Sequence, residues 1–456
     1  MVSMKDHHSH SVRKRMVSNI YSNSTLLSSP ALENITQTIL NERFIPALRS
    51  AIAGSKDVDA YSLFGGTSMD IVTGYIFGLP SSTDFTTDET ERRRFHDLYF
   101  SRRGPDFWLQ FPGLVRLLRQ IGIKLIPDRF VAATLEIEAF VMAMCDKAAA
   151  RISATSTTEP LEGVPPPPPP PTPPSHHPTV YAPLSAALTA QAALTDTPAA
   201  PEATRLALAS ECMDHVVAGY ETSTVTLTYL CWHLSRQPSI QHALRREIQG
   251  IVAKTPASSS SSAAGAFTVP SPRALTSLPL LHACVTETLR LHAGAPGPQW
   301  RVTPAVPGGG GVALGPPGTK GCYAGIPGGV WVAASPWCVH RNEEVFPDAG
   351  EWRPGRWLED QGAGGAGEKE EGDEEGEAGA RAREMGRWFW AFGSGGRVCV
   401  GSHLALYQIK HVIAALYANF ETEIVDDGGI EQEDHFLAHP KGHRLILRLK
   451  EVDARE

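Results

Sequence analysis

The 456-residue chain contains no run of 18 or more apolar residues, so no membrane-crossing helix is visible in it. Its opening residues, MVSMKDHHSHSVRKRM, lack the apolar core of a secretory signal. Cysteine is scarce: seven, an odd number, with no Cys-x-x-Cys pair. That argues against a disulfide scaffold or a zinc site and for a reducing compartment. A net charge of −8 gives no general attraction for nucleic acid. No Gly-x-Gly-x-x-Gly segment opens a βαβ unit, which argues against a built-in dinucleotide site. No fixed-period repeat stands out.

What is present is an apolar fraction of 42%, enough for a sizeable core. The core-forming residues are interrupted twice. Residues 155–201 surround a nearly pure proline run at 164–174, which favours extended polyproline II over packing. Residues 362–380 are an acidic Gly/Glu tract. Both are expected to be exposed, disordered insertions in a single domain over 1–456.

Apolar periodicity predicts helices over 34–55, kinked or split by Pro46, and over 68–77 and 127–150. A long apolar helix is predicted over 206–237, with Pro238 ending it or opening the next at 239–254. A further helix is expected at 279–292. Short apolar stretches punctuated by Pro and Gly over 294–332 predict β-hairpins, and 421–449 suits a small sheet.

The most specific segment is Phe392-Gly393-Ser394-Gly395-Gly396-Arg397-Val398-Cys399-Val400-Gly401, followed by an apolar, helix-forming run from Leu404. A thiolate is a soft, strong ligand for iron. Gly395 and Gly401 would let backbone approach a flat ligand, and Arg397 offers a fixed cation for a carboxylate. Helix-terminal amides after Cys399 can stabilise a charged sulfur. The alternative is a small buried cysteine in an ordinary loop. The pattern Phe-x-x-Gly-x-Arg-x-Cys-x-Gly resembles the haem-binding loop of the cytochrome P-450 superfamily, with every fixed position present. Phrases such as YSLFGGTSMDIVTGYIFGL look similar to filamentous-fungal microsomal members.

The resemblance implies further roles. Ala218-Gly219-Tyr220-Glu221-Thr222-Ser223 interrupts the long apolar helix. By resemblance Gly219 opens a groove for dioxygen, and Glu221 with Thr222 feeds protons to it; the alternative is a hydroxyl bonded back to its own helix and a paired structural acid. Glu287 and Arg290 stand three apart on one helix face. With Arg356, in Trp352-Arg353-Pro354-Gly355-Arg356-Trp357, they match a structural triad that braces the cysteine loop. In that segment Gly355 replaces the family's Glu and Trp357 its Phe. Arg301 is implied as a propionate ligand. His10 and Lys14 stand where the family has a Trp and an Arg that reach the propionates. Segments 293–299 and 436–438 match substrate-contacting regions.

The implied fold is the cytochrome P-450 fold, mostly α with a smaller β region. The resemblance implies haem b (iron protoporphyrin IX) on Cys399. The implied activity is monooxygenation of a small lipophilic substrate with dioxygen and two electrons from a separate flavoprotein reductase, at the cytosolic face of the endoplasmic reticulum membrane. The family's anchor, first helices and two strands would precede residue 1, so the chain is expected to be an N-terminally truncated portion. Two alternatives stay open: a peroxide-using haem-thiolate enzyme, and a non-catalytic remnant.

Overall fold

The computed structural model describes residues 7–102, 108, 111–156, 173–193, 201–253, 267, 269–315, 318, 321–358 and 377–452. In chain order the longer elements are α1 (His7–Ser18), α2 (Pro30–Thr38), α3 (Ile45–Ala53), β1 (Val58–Asp59), α4 (Ala60–Phe77) and α5 (Glu89–Ser101). Then come α6 (Pro112–Gln120), α7 (Asp128–Ser156), α8 (Tyr181–Ala193), α9 (Pro201–Arg236), α10 (Pro238–Val252) and α11 (Pro279–Leu291). Four short strands follow: β2 (Gln299–Val302), β3 (Val312–Leu314), β4 (Tyr323–Ile326) and β5 (Trp331–Ala334). The chain closes with α12 (Glu377–Trp388), α13 (Ser402–Asn419), β6 (Phe420–Asp426) and β7 (Ile446–Glu451). The architecture is mostly helical with small sheets.

The chain divides into two compact units. The first holds residues 1–278, 400–430 and 442–456, and the second 279–399 and 431–441.

The first unit is built on α4, α9 and α13. All of α4 except Ser62 is buried, so apolar residues run all round it. Asp59 caps its start by accepting from the Ser62 amide, and Gly78 ends it at φ +79°. A side chain at Gly78 would lie 2.4 Å from the His176 carbonyl oxygen, so both conformation and space demand glycine there. Asp70, fully buried on the same helix, accepts from Thr83 and the Phe85 amide at 2.7 Å, from the Thr86 amide at 3.0 Å and from Arg43 at 3.2 Å. Four donors make burial of this carboxylate tolerable. Between α2 and α3 the expected split is a π-helical turn, Ile39–Phe44, with Pro46 in the first turn of α3. Strands run β1-β7-β6, all antiparallel.

The expectation for 155–201 needs correction. Tyr181–Ala193 is helix, and Tyr181, Leu184 and Leu188 are buried. Those residues fall at i, i+3 and i+7, an amphipathic face that outweighs the proline-rich context. Residues 157–172 and 194–200 lie outside the described residues. Of 362–380, only the end is described, where Glu377 begins α12. Residues 359–376 are not described.

In the second unit β2 pairs antiparallel with β5 and β3 with β4, the hairpin-like ladders expected from 294–332. Register places Trp300, Val302, Trp331 and Ala333 on the exposed face of the first ladder, and Gln299 and Arg301 on the other. A small core of Val345, Phe346, Ala349 and Met385 is closed by Trp357 and Trp388.

Candidate functional site

The cysteine loop belongs to the second unit up to Cys399. A 3₁₀ turn, Gly395–Arg397, shapes it. Gly393 and Gly395 take φ +72° and +65°, values that favour glycine. The Cys399 amide donates back to the Phe392 carbonyl at 2.8 Å, and the Val398 amide to Gly395 at 3.0 Å. These bonds fold the loop on itself and leave Cys399 exposed and outside any disulfide. Phe392 is half-buried at the loop's base. Gly401, at φ −88°, has no such conformational demand; it is the N-cap residue of α13. The helix therefore opens three residues after Cys399. Of the seven cysteines Cys145, Cys212, Cys231 and Cys284 are buried, and Cys338 is the other exposed one.

The loop rests on β2. A side chain at Gly393 would meet Gln299 Oε1 at 3.0 Å. Two positions on, Arg301 shares that face. Partial burial, and then the positive charge of Arg397 beside it, hold Arg301 below its ordinary pKa. Two guanidinium groups are thus brought together on the side of the ladder that carries the cysteine loop. Like charges placed close cost free energy unless an anion joins them. A soft sulfur ligand, a glycine turn and a dicationic edge fit a flat metal macrocycle with carboxylate side chains, and the residues present therefore fit haem.

The two segments expected to touch substrate are separated by some 140 positions in sequence yet adjoin in the second unit. The Ala438 amide donates to the Gly294 carbonyl at 3.0 Å. The Gln432 amide group donates to Ala293 O at 3.1 Å and Ala438 O at 3.0 Å, clamping both. Ala293 and Ala438 are buried, while Phe436 is exposed.

The triad is fully formed. Arg290 makes a bidentate pair with Glu287 at 2.8 and 2.9 Å, and Arg356 donates to the same carboxylate at 3.0 Å. Trp357 Nε1 and the Arg353 amide add donors at 2.8 and 2.9 Å. Arg290 also donates to the carbonyls of His340, Ala349 and Glu351, and Arg356 to those of Pro347 and Asp348. Burial by itself would raise the Glu287 carboxyl. The Arg290 hydrogen bonds, with the charges of Arg290 and Arg356, outweigh it and hold the group below its ordinary value. Trp357, standing for the family's Phe, thus gains an indole N–H that a phenyl ring lacks.

Sequence reasoning missed His340. Its Nδ1 faces the Arg290 carbonyl at 2.8 Å, and its Nε2 accepts from the Trp390 amide at 2.7 Å. An amide donor at Nε2 requires a bare nitrogen there, so the ring is neutral with its proton on Nδ1. Burial lowers its pKa to about 4. Trp390 in turn accepts from the Gly393 amide at 2.9 Å. A hydrogen-bonded path thus runs from the triad to the glycine turn of the cysteine loop.

The remaining predicted residues lie in the first unit. On α9, Glu221 is buried and the Tyr99 hydroxyl of α5 donates to its Oε2. Thr222 Oγ1 donates to Ala218 O at 2.7 Å. Thr224, Thr226, Thr228 and Ser235 make the same four-back bond, so this is how the helix satisfies its hydroxyls in general. Gly219 has a packing reason of its own: a side chain would lie 2.6 Å from Val72 Cγ2 on α4. The Gly219 carbonyl accepts from Gln408 Nε2 at 3.1 Å. His10 is buried and Lys14 half-buried on α1, one turn apart.

The family model of Cytochrome P450 matches residues 1–447. The chain belongs to the cytochrome P450 family. Two relatives illustrate the range. It is 30% identical over 246 residues to a cytochrome P450 monooxygenase of Aspergillus flavus, covering 53% of this chain and 40% of that protein. It is 26% identical over 398 residues to cytochrome P450 monooxygenase avaI of Aspergillus versicolor, covering 87% of this chain and 78% of that protein. The chain thus spans about two-fifths of the length of the first relative and over three-quarters of the second. Among the described residues no helix is long and apolar enough to cross a membrane.

Proposed function

We propose that this chain carries the haem-thiolate centre of a monooxygenase, with Cys399 as the axial ligand of haem b. The observation that carries the reading is the exposed Cys399 in a self-bonded glycine turn, beside the like-charged pair Arg301 and Arg397. When bound, haem would supply the iron at which dioxygen is reduced and one oxygen atom inserted: RH + O₂ + 2e⁻ + 2H⁺ → ROH + H₂O.

Arg301 and Arg397 would hold the propionates, with His10 and Lys14 assigned to the same task by resemblance. The path from Glu287 through His340 to Trp390 fixes the loop that presents the sulfur. Glu221 and Thr222 would deliver protons. The Thr222 hydroxyl donates to Ala218 O, and its oxygen keeps lone pairs with which to accept a hydrogen bond along such a relay. Tyr99 would hold the Glu221 carboxylate in place. The segments clamped by Gln432 supply small, apolar contacts, which suits a lipophilic substrate. Electrons would come from a flavoprotein reductase, at the cytosolic face of the endoplasmic reticulum.

The test is the spectrum of the reduced, carbon monoxide-bound protein. Cys399→Ser should abolish a Soret band of thiolate character, while Cys338→Ser should leave it. A thiolate band that survives Cys399→Ser, or vanishes with Cys338→Ser alone, overturns the assignment.

A further inference from the structure

Five hydroxyl-bearing residues fall between positions 222 and 228 of α9. Thr222, Thr224, Thr226 and Thr228 each donate to the carbonyl four residues back. Ser223 is engaged from outside the helix instead: its hydroxyl oxygen accepts from Gln408 Nε2 of α13. The same nitrogen donates to the Gly219 carbonyl at 3.1 Å. Gly219 O is the acceptor that a four-back bond from Ser223 would use. Gln408 thus occupies both ends of one helical turn, and Glu221 and Thr222 lie between those ends.

The amide is kept there at a cost. Gln408 and Ser223 are each 1% exposed, and Gln408 Oε1 is buried with no donor among the described residues. A buried acceptor without a partner is unfavourable. Methionine would fill a similar volume between α9 and α13 and bury no polar amide. Helix packing therefore does not account for the carboxamide. What the carboxamide adds is two hydrogen bonds to one turn of α9. Tyr99 of α5 donates to the Glu221 carboxylate, and Val72 of α4 abuts Gly219. Three helices thus grip the same turn.

We propose that Gln408 is a positioning residue: through Gly219 O and Ser223 Oγ it fixes the turn of α9 that carries Glu221 and Thr222. This role rests on the haem-thiolate reading, in which that pair moves protons. Without Gln408, Ser223 turns back onto Gly219 O like its neighbours, and the turn loses its hold on α13.

The test compares the whole chain with Gln408→Met and with Ser223→Ala. Amide hydrogen exchange is followed on the protein with or without haem. In Gln408→Met it should quicken by about tenfold within 219–223, as the loss of two hydrogen bonds of modest net strength implies. Exchange within 228–236 of the same helix should be unchanged, and the thermal midpoint should not fall. Ser223→Ala, which keeps the bond to Gly219 O, should give a smaller change in the same segment. In the reduced, carbon monoxide-bound protein, Gln408→Met should keep the Soret band of thiolate character and shift the carbon monoxide stretching band, which reports on groups beside the bound gas. Unchanged exchange within 219–223, faster exchange along all of α9 and α13 with a lower midpoint, or an unmoved stretching band overturns the proposal. A parent chain without a thiolate band overturns the haem reading instead, and the exchange measurement then decides by itself whether Gln408 holds the turn.

Discussion

His340 joins Arg290 to Trp390: one ring nitrogen faces the Arg290 carbonyl at 2.8 Å and the other accepts the Trp390 amide at 2.7 Å. His340→Ala leaves both buried backbone groups without this partner, at about 1–3 kcal/mol each. The expected result is a lower thermal midpoint and faster haem loss. His340→Gln, which offers a donor and an acceptor, should recover part of both. A His340→Ala protein as stable as the parent would remove His340 from this role.

Glu287 answers to two arginines with no exposed surface on any of the three side chains. Removing a buried partner of this kind costs about 3–5 kcal/mol because charge is left uncompensated. Glu287→Ala should therefore give little haem-loaded protein, with denaturant midpoints to match. A fully loaded variant that merely turns over slowly would make Glu287 a catalytic group.

Acid should weaken the fold. Burial lowers His215, His340 and His411 to about 4 and His292 to about 3. Below an ordinary histidine pKa of ~6.5 the unfolded chain takes up protons that these buried rings refuse. Stability from this source is complete above that pH and lost as pH falls toward 4. Glu287, held low, adds its own loss at still lower pH. Urea midpoints measured from pH 7 to 4.5 should fall steadily, and a flat profile would show that the histidines are not buried neutral.

Gly219 faces Val72 across the α4–α9 packing. Gly219→Ala forces the two helices apart and should cost about 1–3 kcal/mol, as overpacking does. Adding Val72→Ala should restore most of it. Without that rescue, the glycine serves something other than helix packing.

Thr222→Ala deletes a hydroxyl whose hydrogen bond is to its own helix. Stability should change by less than about 1 kcal/mol. If Thr222 and Glu221 move protons, product formed per reductant consumed should drop while haem binding is kept. Unchanged coupling in Thr222→Ala and Glu221→Gln would favour a peroxide-using enzyme.

Some of this was legible in the sequence because it is local. The Phe392–Gly401 pattern is contiguous, and its glycine conformations follow from steric rules acting on neighbours. Glu287 and Arg290 sit three apart, so helical geometry alone pairs them. Their third member, Arg356, came only through the family resemblance, since nothing in the segment itself points to a helix 66 or more residues earlier. Tyr181, Leu184 and Leu188 were legible in principle, but the adjacent proline run drew 155–201 into one compositional reading.

The sequence by itself determined the loop that can hold a thiolate ligand, the helices that periodicity marks, and the Glu-x-x-Arg pair. Only the tertiary structure decided that Tyr99 meets Glu221, that His340 ties the triad to the cysteine loop, that Arg301 lies beside Arg397, and that Gly219 is small because Val72 is there. The reason is physical. Local patterns are set by backbone sterics and helical repeat, which act over a few residues. A hydrogen-bond partner or a packing neighbour is set by which distant segments share a core, and no short stretch of sequence encodes that.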